Sequence, residues 1–274
     1  MKRLILITAL ILSLLIAYGC DREDNLSGSN NQITNLDPMN NGAQARIKIT
    51  AFDAPAPEGI EKVLLNIIEV SIHSEENGWE ILSDADTTID FLELVNGVTV
   101  VLADDSIPVG AYDQIRLLLA DNNWLVIDST EHALTVPSGL TSGVKLHYED
   151  TVTAGEFVNL YVDFDLSKGI VTGHDKYLLH PSFNIFQEDV SATLAGMVTD
   201  TLGEPLENIM IKASGEVYAT STMTDSMGFY MFTIPGGVYD ITAELDSTMT
   251  ADTAYIDVPL NPGDALTGFD FVIQ

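Results

Sequence analysis

Cys20 is the sole thiol of this 274-residue chain, and it closes the stretch "LIAYGC" immediately before the acids of "DREDN". A lone cysteine in an exported chain cannot close an internal disulfide, which leaves a free thiol or an acylated one. The next residues able to do chemistry are His73 and Glu76, spaced H-x-x-E, with His180 far downstream. They would hold zinc only if all three converged on one open tetrahedral site. Against that, His73 alternates with Ile72 on a strand pattern that runs into the "EENGW" turn, where histidine and glutamate face water. Arg116 in "QIRLLL" and the aspartates Asp163 and Asp165 in "VNLYVDFDL" form a third constellation. The plainer expectation is that Arg116 pairs with one of the two aspartates and fixes two strands. The sharper one is a calcium site drawing six to eight oxygens from Asp163, Asp165 and Asp53, or from Asp104 and Asp105, although no D-x-D-x-D-G loop spacing supports it. The chain has no G-x-S-x-G elbow and no G-x-x-x-x-G-K-[ST] loop, so no catalytic residue is expected, and no cofactor beyond that weak calcium candidate.

The segments around these residues say where they sit. Lys2 and Arg3 precede an apolar run from Leu4 to Tyr18 that ends in small residues and Cys20, the layout of a secretory signal. A membrane-spanning helix is the alternative, but it needs roughly 20 apolar residues, and this run is shorter and carries Thr8 and Ser13. From Arg22 to Gln44 the chain is rich in Asn, Ser and Gly without apolar periodicity, which predicts a flexible tether. The boundaries expected are a signal over residues 1–19, a tether over 20–44, and folded domains over 45–190 and 191–274.

Periodicity gives those domains their class. In "ARIKITAF" Ile47 and Ile49 alternate with Lys48 and Thr50. In "VNLYVDFDL" Leu160, Val162, Phe164 and Leu166 share one face, and Tyr161, Asp163 and Asp165 the other. Further strands are expected at 63–73, 79–82, 89–94, 99–102, 112–119 and 125–127. Turn signals such as "ENG", "VNG", "PVG" and "PSG" separate them. Many short strands at this spacing predict an all-β chain with two β-sandwich domains in tandem.

Three resemblances sharpen this reading. "AYGC" resembles the lipobox of bacterial lipoproteins, with Tyr18 where a small residue is usual; it implies that Cys20 is lipidated and becomes the first residue after cleavage. "TAFDAPAP", "IEVSIHSEENGWEIL", "VGAYDQIRLLL", "VPSG" and "LYVDFDLSKGIV" occur in the order of the bacterial lipoprotein family called domain of unknown function 4382, over about 45–188. That resemblance implies a β-sandwich of unassigned activity. "GMVTD", "GEPL", "TDSMGFY" and "PGGVY" resemble the carboxypeptidase regulatory-like domain, a transthyretin-like module, over roughly 193–245 with "GFDFVIQ" as a last strand. It implies a structural or binding appendage without catalytic residues of its own, and the strand alternation there predicts a compact seven-strand sandwich.

Charge bounds the partners. Acids outnumber bases 41 to 11, a formal net charge of −30, which excludes nucleic acid as a partner and directs membrane contact through a lipid rather than the protein surface. Asp21 resembles an inner-membrane retention signal, whereas "DREDN" as a run resembles a surface-export signal; the exposed character of the composition favours the outer membrane or cell surface. Asp-Ser and Asp-Thr pairs such as "DST", "DTL", "DSM" and "DTA" resemble an O-glycosylation signal, or simply make turns. The function expected is a lipid-anchored, non-catalytic role in binding or structure, with a glycan or a protein as ligand. A carbohydrate-binding module is the alternative if Trp79, Trp124, Tyr148 and Tyr161 form a flat platform; a metal-dependent hydrolase is the second.

Overall fold

The structure is a computed structural model that describes residues 43–52, 59–137, 142–166, 169–173, 176–180, 182–245, 251 and 253–274. Cys20, the tether before residue 43, Asp53, Asp252 and the side chain of Asp165 lie outside the described residues. The described chain is almost entirely β, as the periodicity predicts. Thirteen described strands make its first part: β1 (Gln44–Phe52), β2 (Ile60–Ser74), β3 (Gly78–Ser83), β4 (Thr87–Asp90), β5 (Thr99–Pro108), β6 (Gly110–Leu119), β7 (Asn123–Ile127), β8 (Thr130–Thr135), β9 (Val144–Val152), β10 (Phe157–Asp165), β11 (Ile170–Gly173), β12 (Lys176–Leu179) and β13 (Ser182–Gln187). Eight more follow: β14 (Ser191–Asp200), β15 (Met210–Gly215), β16 (Ala219–Met223), β17 (Phe229–Pro235), β18 (Gly237–Glu244), β19 (Tyr255–Leu260), β20 (Ala265–Leu266) and β21 (Phe271–Ile273). The second module thus has one strand more than the expected seven, because its C-terminal stretch supplies both β20 and β21 to β14.

The first part is two sheets closed over one core. One sheet has the order β13-β10-β1-β5, and the other β11-β12-β8-β7-β2-β6-β9, with β3 and β4 also paired to β2. The 15-residue β2 can hold that many partners because its length divides: its first half pairs with β4 and β7, and its second half with β3 and β6. Ile47 and Ile49 from β1, Val63, Leu65 and Ile72 from β2, and Leu160, Val162 and Phe164 from β10 meet in the interior, each at most 1% exposed. Burying each such side chain stabilises the fold by about 1.5–3 kcal/mol relative to leaving it in water.

The strand expected at 89–94 is corrected by the structure. Its first residues pair as β4, but Phe91–Glu93 turn into a short 3₁₀ segment because the Asp90 carboxylate accepts from the Leu92 N–H (3.3 Å) and drops the Phe91 ring into the core.

The second part repeats the architecture on a smaller scale. β17-β14-β20, with β21 also on β14, faces β16-β15-β18-β19 over a core containing Leu194, Tyr230, Phe232, Ile241 and Phe271. A shared device turns a corner in both parts. In "PVGAY" the Tyr112 hydroxyl donates to the Pro108 carbonyl (2.7 Å), and in "PGGVY" the Tyr239 hydroxyl donates to the Pro235 carbonyl (2.9 Å). The spacing P-x-G-x-Y carries both, and it has the geometry of the tyrosine corner of β-sandwiches. In the second corner the ring lies so close over Gly237 that an added Cβ would sit 3.0 Å from it.

The two parts are tied by an asparagine in a tight turn. Asn96 and Gly97 take φ 54° and 83°, and the Val98 N–H donates to the Val95 carbonyl (3.0 Å), the geometry of a type I′ turn. The turn points the Asn96 amide at the second module. Its Oδ1 accepts from the Met231 N–H (3.0 Å) and its Nδ2 donates to the Met223 carbonyl (3.1 Å). β16 and β17 each lie at the edge of a sheet, so one side chain satisfies backbone groups on two open edges.

Two outcomes follow from this packing. Asn96→Ala removes both bonds and places an alanine at positive φ, and it should lower the unfolding free energy in urea by about 1–3 kcal/mol; a change below a few tenths would show that the turn bears no load. Burial pushes the Tyr112 hydroxyl up to about 12 and raises those of Tyr230 and Tyr239 as well. A phenol whose folded pKa exceeds its unfolded value of about 10 contributes stability that is complete below pH 10 and is lost as pH rises through the folded value. Unfolding free energy should therefore decline steadily above pH 10, with phenolate absorbance at 295 nm rising in step with loss of the fold. Titration of all 9 tyrosines near pH 10 in a still-native protein would contradict this.

Candidate functional site

The outer face of the β13-β10-β1-β5 sheet is where unspent side-chain chemistry collects. The pleat that sends Val158, Leu160, Val162 and Phe164 into the core leaves Phe157, Asn159, Tyr161 and Asp163 on the opposite face of β10. Parallel pairing sets Arg46 beside Phe157, Lys48 beside Asn159, Thr50 beside Tyr161 and Phe52 beside Asp163. The two ends of this row do different things.

At one end the face is covered. Asp163 is fully buried, although it points away from its own core: the Tyr218 hydroxyl from the second module and the Asn184 amide (3.3 Å) from the neighbouring β13 both donate to its Oδ2. Around that carboxylate Phe52, Tyr161, Phe186 and Tyr218 make successive edge-to-face contacts, with centroids 5.3 to 5.9 Å apart. Tyr161 also donates to Glu188 (3.2 Å), and burial, then that carboxylate, raise its pKa.

At the other end the face is open. The Phe157 ring is 52% exposed, with the Arg46 guanidinium carbon 5.7 Å from its centroid. Arg46 is held by a two-pronged pair with Asp104, Nε to Oδ1 at 2.7 Å and Nη2 to Oδ2 at 2.8 Å, which keeps the Asp104 carboxyl below the usual carboxylate range. Glu156 is fixed as well, since its Oε2 accepts from the Thr153 N–H (2.7 Å) and hydroxyl (2.8 Å), which lowers its pKa. Two hollows flank the ring. One of about 390 Å³ lies toward Arg46, Ser106 and Glu156, and the other, of about 280 Å³, lies toward Asn159, Gln187 and Glu188.

The residues singled out by spacing are placed elsewhere. Arg116 does not reach Asp163: it lies on β6, in the other sheet, where Nη2 bonds Glu69 (2.6 Å), Nε bonds Ser71 (3.1 Å) and the guanidinium stacks on the Trp79 ring at 4.4 Å. The expected ion pair is thus replaced by one within the β2–β6 ladder, where Arg116 stands directly opposite Ser71. His73 Nδ1 pairs with Asp113 (2.6 Å) and its ring also rests on Trp79, while Glu76 and His180 are exposed. Among the described residues no three of His, Cys, Asp and Glu are grouped to hold a metal, so His73, Glu76 and His180 do not converge; of the calcium candidates, Asp53 and the Asp165 side chain lie outside the described residues. Asp104 is engaged by Arg46, and Asp105 accepts from the Ser106 N–H.

The aromatic platform does not form either. Tyr148 is buried and donates to Asp150 (2.9 Å), and Tyr161 sits in the covered cluster. Trp79 and Trp124 lie opposite His73 and Leu64, nine residues apart on β2, or about 30 Å at 3.3 Å per residue. Asp200 and Asp225, from "DTL" and "DSM", fold back as turn caps: each Oδ1 accepts from the N–H groups two and four residues on. Neither Phe157 nor Asn96 stood out in the sequence. Extending the β10 alternation one residue earlier, to "FVNLYVDFD", puts Phe157 on the outer face; nothing in "VNG" beyond the turn gives Asn96 its partners.

Comparisons with known proteins give a family and leave the activity open. No match to the chain was found among curated proteins. Residues 193–274 match the carboxypeptidase regulatory-like domain. Among solved structures, the Bacillus anthracis TIE protein is 15% identical with a TM-score of 0.26, over 85% of this chain and 34% of that one, so the chain spans about a third of its length. The shaft pilin SpaA of Lactobacillus rhamnosus GG is 10% identical (TM-score 0.25, 85% and 97% covered), and the minor pilin GBS52 of Streptococcus agalactiae is 14% identical (TM-score 0.25, 84% and 95% covered). Residues 44–181, half of the chain, match the domain of unknown function DUF4382, and the chain belongs to that family.

Proposed function

We propose that this chain is a lipid-anchored, non-catalytic protein of the outer membrane or cell surface, in which a two-sandwich body presents the open end of the β1/β10 sheet face to an extracellular ligand. The observation that carries the reading is the division of that face. Its Asp163 end is consumed in joining the sandwiches, while its Phe157 end is open and flanked by fixed polar groups. Three titratable pairs that hold strands together support a binding rather than a reactive role: Arg116 with Glu69, His73 with Asp113, Lys212 with Glu244.

The anchor follows from Cys20 at the end of the apolar leader. More than one acyl chain there holds a protein to a membrane stably, at about 0.8 kcal/mol per buried CH₂. No cofactor enters this reading, and the net charge of −30 keeps nucleic acid and anionic headgroups away from the protein surface.

The test is expression in a Gram-negative host, with intact mass, membrane fractionation and protease shaving of whole cells. The native chain should carry acyl groups on Cys20, pellet with outer membranes and be shaved from intact cells, whereas Cys20→Ser should remain unacylated and leave the membrane fraction. A Cys20→Ser protein that fractionates like the native one would overturn the anchoring.

A further inference from the structure

We propose that the Phe157 ridge is a saccharide-binding site, taking a neutral glycan whose pyranose ring stacks on Phe157 with its hydroxyls in the two flanking hollows. This deepens the surface-binding role and rests on it. A pyranose has a face of C–H bonds and a rim of hydroxyls. The C–H face carries slight positive charge and suits the negative face of an aromatic ring. The rim needs carboxylates, amides and cations placed around that ring, which is the makeup of a small-ligand site: one apolar surface with a few convergent polar groups.

The groups around Phe157 have capacity left. The Asn159 amide bonds to no described residue, and Lys48 stands opposite it on β1, with the Asp104 carboxylate facing Lys48 from β5. Glu156 uses only Oε2 on Thr153, which leaves Oε1 to accept from a hydroxyl. Arg46 and Glu156 are already fixed by Asp104 and Thr153, so binding need not order them again.

Other occupants fit this end less well. A stable protein partner needs about 800 Å² on each side with several apolar anchors, and Phe157 is the single exposed large apolar side chain among the described residues of β1 and β10. A polyanionic glycan meets Glu156, Glu188 and Asp189 beside the ring and a chain of net charge −30. A neutral glycan has no such penalty, and its hydroxyls use the carboxylates as acceptors.

The test is native affinity electrophoresis of the full chain, kept in detergent, through gels containing laminarin, xylan, galactomannan or amylose, with alginate as the acidic polymer. At least one neutral polymer should retard the chain. Phe157→Ala should weaken that retardation about tenfold or more, and Asn159→Ala severalfold, at unchanged circular dichroism; Trp124→Ala, an exposed aromatic on the other sheet, should leave it as it was. Absence of retardation in all four neutral gels, retardation by alginate alone, or equal retardation of the native and Phe157→Ala chains would each overturn the site. The readout is independent of the anchor: a soluble, unacylated chain that binds laminarin leaves this site standing, and an anchored chain that binds none of the four removes only this site.

Discussion

The pleat of β10 is the constraint on which the rest of the molecule turns. A strand in the middle of a four-stranded sheet must send alternate residues to opposite faces, and Val158, Leu160, Val162 and Phe164 commit one face to the core. Phe157, Asn159, Tyr161 and Asp163 are thereby fixed in a row on the other face. A one-residue slip would turn the Asp163 carboxylate into the apolar core and move four apolar side chains to the outer face. The same register supplies the joint to the second sandwich at one end of the row and the open aromatic ridge at the other, so structure and recognition share one element.

Burying Asp163 is costly unless its oxygens are bonded, since an ionised carboxylate removed from water loses far more than one hydrogen bond returns. Tyr218 and Asn184 both donate to Oδ2, one from each sandwich, and so offset part of that cost. Asn96 works by the same logic on backbone groups, satisfying a donor on β17 and an acceptor on β16 that would otherwise lie on open edges. Both joints are polar and directional, whereas the aromatic contacts of Phe186 with Tyr218 tolerate small shifts. Together they give the junction a defined geometry and not merely an attraction.

Much of this was legible in the sequence, and the gaps have physical causes. The all-β class, the β10 alternation, both P-x-G-x-Y turn regions and the "VNG" turn follow from local pattern, because pleat and turn chemistry act over a few residues. The partner of Arg116 was not legible. Glu69 and Ser71 lie about 45 residues away and face it only because of the register between β2 and β6, which bulges on both strands shift. The alternation of β10 places Asp163 on the face away from the core, but its burial depends on a second domain whose docking leaves no local signature. The 3₁₀ segment at Phe91 interrupts a plausible strand because one aspartate caps it, a choice that β-propensity does not contain.

The joint between Asp163 and Tyr218 holds the two sandwiches in one body, and a double-mutant cycle measures it. Urea unfolding of the native chain, Asp163→Asn, Tyr218→Phe and the double variant gives the energy that the two side chains share. The structure predicts a coupling of about 1 kcal/mol or more, as for groups in one buried network. Effects that add to within about 0.3–0.5 kcal/mol, the behaviour of distant and independent sites, would contradict it and leave the two sandwiches as neighbours rather than one body.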